Sequence, residues 1–122
     1  MKKQSRNIKY ESPAPQMLYI MRNGRTQQYK IGITNDLNDR HSNLQTGCPC
    51  ELRVIKLYTH YDREKVKDYE DTLHNYYEQC GCKIRPNGEW YKLSKADIDF
   101  LCKPESIEEQ DKLIDILKQM LK

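Results

Sequence analysis

The chain has 122 residues, 37% hydrophobic and 32% charged, which fits one domain with a modest core and no obvious second domain. Its net charge of +3 is unevenly spread: residues 1–56 carry ten Lys/Arg against four Asp/Glu, and residues 57–122 carry eleven against fourteen. The basic half is a candidate surface for phosphate, and no apolar run approaches the roughly 20 residues that span a bilayer.

Residues 1–10, MKKQSRNIKY, are basic but lack the apolar centre of a signal peptide. They read as a flexible arm over residues 1–14, ended by the SPAP of 12–15. The expected location is intracellular, in cytoplasm or nucleus, where the five cysteines stay reduced unless they hold metal. Residues 15–93 read as the main domain and 94–122 as a helical extension packed on it.

Residues 17–22, MLYIMR, read as a strand. The NGR of 23–25 is a hairpin turn signal, because Asn-Gly tolerates the positive φ of tight turns. Residues 28–33 form the returning strand. Asn35 is the expected N-cap of a helix over 36–45, with Gly47 as its stop. Residues 51–59, ELRVIKLYT, read as a third strand. Residues 62–79 read as a long helix with the apolar stripe Val66, Tyr69, Leu73, Tyr76 and Tyr77. GCKIRPNGEWYKL is a loop ending in a short extended piece. Ser94 caps a short helix through Cys102, and Ser106-x-x-Glu109 has the form of a capping box. It opens an amphipathic last helix with the stripe Leu113, Ile114, Leu117, Met120 and Leu121. The outline is β-β-α-β-α with a helical tail, an α+β domain on a small sheet. Nine Tyr stand against one Phe and one Trp, a composition that suits a core opening into a polar cleft.

Side chains alternate across a strand, so Lys30 and Gly32 share one face while Tyr29, Ile31 and Ile33 share the other. Glycine within a strand marks close approach of a ligand or another backbone. Arg40 lies on the following helix, where it reaches toward that glycine or, more blandly, pairs with Asp36. Glu70 and His74 stand four residues apart on one helix face and suit a divalent ion, with one carboxylate and open water positions favouring Mg²⁺. Cys48-Pro-Cys50 and Cys80-Gly-Cys82 flank the third strand and the long helix, and four converging thiolates would hold Zn²⁺. Zinc sites favour C-x-x-C, so free thiols are the simpler reading. Trp90 reads as a core plug and, in the minority reading, as a platform for a base.

Four blocks together resemble the GIY-YIG endonuclease superfamily: LYIM at 18–21, YKIGIT at 29–34 with Arg40, YEDTLHNYY at 69–77, and NGEWYKL at 87–93. The chain is most similar to the compact branch common in phages and large DNA viruses, with its KIG second motif, R…LQTG helix, E..LH helix and terminal GEW[FY]. The resemblance implies a three-stranded antiparallel sheet flanked by helices. It implies hydrolysis of nucleic-acid phosphodiesters, DNA foremost and RNA as the other candidate, with Mg²⁺ or Mn²⁺. Tyr19 matches the tyrosine that orients or deprotonates the attacking water. Arg40 matches the arginine that steadies the phosphate, Glu70 the metal-binding glutamate, and His74 the histidine of this branch. Lys30 stands where the name-giving tyrosine would, and is expected to clamp phosphate rather than act as a base. Arg22 and Arg25 join Lys30 and Arg40 as expected nucleic-acid contacts. The late asparagine of the superfamily has no assigned match; Asn87 and Glu89 lie near its place. A catalytically weak or inactive nucleic-acid-binding module of the same fold is the alternative. A zinc-stapled interaction domain, docking through its last helix, is more distant. A protein partner is a further expectation, as the source of specificity.

Overall fold

The computed structural model describes residues 16–84 and 89–121. The expected arm over 1–14, and the Asn87-Gly88 of the last motif, lie outside the described residues. Strand β1 (Met17–Asn23) turns back into β2 (Gln28–Thr34), and α1 (Leu37–Thr46) leads to β3 (Leu52–Thr59). Helix α2 (Arg63–Gln79), β4 (Trp90–Lys92), α3 (Lys95–Leu101) and α4 (Ile107–Met120) follow. The strands form one antiparallel sheet in the order β3-β1-β2-β4.

The sheet therefore has four strands where three were expected. The extra one is β4, whose three residues pair Gln28 with Lys92, Tyr29 with Tyr91 and Lys30 with Trp90. Three residues are too few to display alternation, but Trp and Tyr suit a half-buried pleated surface. The hairpin turns where expected, with Gly24 at φ 58°. Such a φ is costly for most side chains and free for glycine.

Capping fixes the helix boundaries. Helix α1 starts one residue later than expected, because Asp36 rather than Asn35 is the N-cap and accepts from the Asp39 amide. Asp62 caps α2, and Ser94 forms a reciprocal capping box with Asp97 on α3. On α4 the Ser106 hydroxyl accepts from the Glu109 amide, while the Glu109 carboxylate reaches Glu105 N rather than the cap residue's own amide.

Alternation divides the apolar side chains between the two faces of the sheet. Leu18, Ile20, Tyr29, Ile31, Tyr58 and Tyr91 meet the α2 stripe of Val66, Tyr69, Leu73 and Tyr77. Leu101, Leu113, Ile114 and Leu117 complete this cluster, so α3 and α4 close the same core. Each such fully buried aliphatic side chain is worth about 1.5–3 kcal/mol of transfer free energy. Tyr19, Met21 and Leu52 form a smaller cluster on the other face, with Leu37 and Leu44 of α1 and Trp90 packed against it.

Buried tyrosines supply bulk and find partners. The Tyr58 hydroxyl donates to Leu101 O at 2.7 Å, and Tyr69 donates to the Asp111 carboxylate. Helix α4 is also tied to the end of β3, where the Gln110 side chain bonds Thr59 O and Thr59 N at 2.6 and 3.2 Å. Lys118 bridges to Asp68 on α2. No described helix is long and apolar enough to cross a membrane.

Candidate functional site

The candidate residues come from β1, β2, the first helix, the long helix and the loop before β4, around the point where β2 runs on past the end of β4. Tyr19 pairs directly with Gly32 across β1 and β2. A Cβ on Gly32 would lie 2.5 Å from the Tyr19 hydroxyl and 2.7 Å from its Cζ. The close approach that a strand glycine marks is thus the ring of Tyr19, not a ligand or a second backbone. Tyr19 is 1% exposed, walled by neighbours that stop the ring swinging aside. Gly32→Ala should therefore cost about 1–3 kcal/mol through overpacking, read by chemical denaturation. Unchanged stability would contradict this placement of the ring.

The Tyr19 phenol is pushed up to about 12, first by burial. The Arg40 cation opposes that rise, and the Glu89 and Glu70 carboxylates add to it. Four side chains from β1, α1, α2 and the loop before β4 thus share one electrostatic neighbourhood. Arg40 is exposed, and among the described residues it makes no ion pair. The bland partner, Asp36, has its carboxylate engaged in capping α1.

Helix α2 presents Glu70 and His74 to the same point. Glu70 is 5% exposed, and its carboxylate meets Lys67 at 3.1 Å. His74 Nε2 lies 2.7 Å from Ile31 O. A carbonyl only accepts, so Nε2 is the donor to Ile31 O and Nδ1 is the ring nitrogen that this bond leaves unused. The bond exists because β4 ends early: Ile31 N bonds Glu89 O, and the Ile31 carbonyl projects past the last strand pair.

Glu89 was not assigned a role from the sequence, yet it completes the cluster. Ligand atoms of Glu70, His74 and Glu89 all lie within 4.8 Å of one another, the only such group among the described residues. Two carboxylates and one imidazole make an oxygen-rich donor set that fits Mg²⁺ or Mn²⁺ with water completing the shell. The available signal was the GEW block itself, an acidic residue beside a strand-forming aromatic pair.

Lys30 lies on the Tyr19 and Gly32 face, 13% exposed. Its ammonium is 3.4 Å from Glu89 and 5.6 Å from the centre of the Trp90 ring. Trp90 packs against the Tyr19 cluster and supports Lys30 from the side.

Other expected residues lie elsewhere. Arg22 projects from the opposite face, over the Tyr29 ring, and its guanidinium donates to Thr26 O and Arg25 O within the hairpin. Arg22 and Arg25 line a separate hollow of about 640 Å³ with Glu51 and Arg53, away from Glu70 and His74. The four cysteines Cys48, Cys50, Cys80 and Cys82 are free thiols and do not converge on a zinc geometry. Cys48 packs with the Tyr19 cluster and Cys82 with the main core, so the sheet stands between the pairs. The sequence argument assumed β3 beside α2; β3 is an edge strand, and α2 lies over β1 and β2.

Comparison with curated proteins and with solved structures found no match. The family profile of the T5orf172 domain matches residues 16–104, a span that holds every residue of the cluster. The chain belongs to the T5orf172 domain family, a nuclease-related, GIY-YIG-like domain.

Proposed function

We propose that the protein is an endonuclease of the GIY-YIG type, which hydrolyses phosphodiester bonds of DNA with a divalent ion, Mg²⁺ or Mn²⁺. The observation that carries this reading is the convergence of Tyr19 and Arg40 with the Glu70, His74 and Glu89 donor group at one sheet edge.

Glu70 would hold the ion, with the Glu89 carboxylate and the Nδ1 of His74 completing the donor set. The ion supplies Lewis-acid polarisation of the phosphate and charge neutralisation at the breaking ester bond. The chain's own residues do the rest. Arg40 is exposed and unpaired among the described residues, so it meets a phosphate without first losing a partner. Its planar fork matches two phosphate oxygens as negative charge gathers on them. Tyr19 keeps its proton at neutral pH, since burial pushes the phenol to about 12. It therefore orients the attacking water through its hydroxyl rather than removing a proton from it. Water oxygen bonds to phosphorus and gives up a proton to bulk solvent, the P–O ester bond breaks, and the leaving oxygen takes a proton from solvent.

The sequence alternative, a nucleic-acid-binding module without catalysis, draws support from Lys30 at the second-motif position and from its pairing with Glu89. A cleavage assay separates the two readings. Duplex, single-stranded and branched DNA, and an RNA duplex, are incubated with Mg²⁺, Mn²⁺ or EDTA. Ion-dependent strand scission of at least one DNA substrate is the expected result. Salt-dependent binding of all of them with no scission would favour the binding module.

A further inference from the structure

Both carboxylates of the donor group already carry a lysine. Lys67 meets Glu70 at 3.1 Å, and Lys30 meets Glu89 at 3.4 Å. The two pairs are not equivalent. Lys67 also meets Asp71 at 3.2 Å and is 58% exposed, so it keeps a carboxylate when Glu70 is drawn away. Lys30 has Glu89 as its one ion-pair partner among the described residues, and it is 13% exposed. It cannot simply turn to solvent. Its other neighbour is the Trp90 ring, which stabilises an ammonium without neutralising it.

We propose that Glu89 is a two-position latch: it holds Lys30 when no divalent ion is bound, and releases Lys30 to the nucleic-acid phosphate when an ion takes the Glu89 carboxylate. This rests on reading the cluster as the ion site of a nuclease. Metal would then control substrate affinity as well as chemistry.

The charges explain the direction. Without an ion, carboxylates hold both ammonium groups, Lys30 by Glu89 and Lys67 by Glu70 and Asp71, and Arg40 is the cation of this site with no ion pair among the described residues. An ion between Glu70 and Glu89 repels the ammonium beside it and claims the negative charge that held it. Lys30 stays on the Tyr19 and Gly32 face, where its strand and Trp90 hold it. It then faces the same phosphate as Arg40. Lys67 makes the corresponding move on α2, but rests on Asp71 and adds no new phosphate contact.

The test uses the full chain and two probes. Mn²⁺ binding is followed by electron paramagnetic resonance without nucleic acid. Binding of a cleavage-resistant phosphorothioate duplex is followed by fluorescence anisotropy across a salt series, in Mn²⁺ and in EDTA. Thermal melts confirm that Lys30→Met and Glu89→Gln are folded; the second variant keeps the test open if the first is unstable. In Mn²⁺, the slope of log affinity against log salt should be about one unit steeper for the wild type than for Lys30→Met. In EDTA the two slopes should coincide. Lys30→Met should bind Mn²⁺ more tightly than the wild type, because nothing competes for Glu89. Glu89→Gln should show the steeper slope already in EDTA, and Lys67→Met should keep the wild-type steepening of the salt slope on going from EDTA to Mn²⁺. If Lys30→Met has the wild-type Mn²⁺ affinity and the wild-type slope under both conditions, the latch is overturned while the ion site stands. If the wild type binds no Mn²⁺, both the latch and the nuclease reading fall.

Discussion

Glu70→Gln should lower ion-dependent cleavage by roughly 10³-fold, the scale set by removing one dominant charge stabiliser from a transition state. The side chain sits in the middle of α2, 5% exposed, at the point where the helix passes the sheet edge. Glutamine keeps the shape and can still accept a hydrogen bond, but it lacks the full negative charge that an ion needs. The fold should tolerate the change. Lys67 is largely exposed and retains Asp71, so no buried cation is left unpaired. Initial cleavage rates, read beside a thermal melt, separate the two effects. A well-folded Glu70→Gln protein that cuts at the wild-type rate would remove Glu70 from the site.

Arg40→Ala should reduce cleavage by roughly 10²–10³-fold while stability changes by less than about 0.5 kcal/mol. The small stability effect follows from exposure and from the absence of an ion pair among the described residues. The large kinetic effect follows from the charge: the guanidinium is the cation whose field reaches the Tyr19 hydroxyl. Arg40→Lys should recover only part of the loss, because an ammonium cannot grip two phosphate oxygens with one planar fork. There is a second consequence. Arg40 is the cation that opposes the rise of the Tyr19 phenol, so its removal should raise that group further. An Arg40→Ala enzyme of full activity would mean that the phosphate sits elsewhere.

Much of this architecture was legible because it rests on local rules. The hairpin follows from Asn23-Gly24, the long helix from the Val66 to Tyr77 stripe, and the last helix from Ser106 and its aliphatic repeat. Where the sequence fell short, the missing term was tertiary. Asp36 outcompeted Asn35 as cap by one position, a difference that side-chain geometry settles and composition does not. The β4 strand was seen only as a short extended piece, since three residues gain their pairing from β2 rather than from their own pattern.

The site was legible where residues belong to one element. Glu70 and His74 share a helix face by spacing, and Lys30 and Gly32 share a strand face by alternation. Glu89 was passed over because its partners are far away in sequence, on α2 and β2. The reason for Gly32 also changed: the register places it against Tyr19, a pairing that only the folded hairpin reveals. The cysteine argument failed for the same kind of reason. Equal lengths of strand and helix would bring the thiols together only if β3 and α2 ended side by side, but Cys48 and Cys82 pack in clusters on opposite faces of the sheet.

The central claim is that one sheet edge joins an ion site to a phosphate site for strand scission. Its most direct test is nicking of supercoiled plasmid by the wild type, Glu70→Gln and Arg40→Ala, each with Mn²⁺ and with EDTA. The account predicts nicking by the wild type in Mn²⁺ alone, with both variants folded and slowed by orders of magnitude. Equal nicking by all three proteins, or plasmid binding without nicking in any condition, would contradict it.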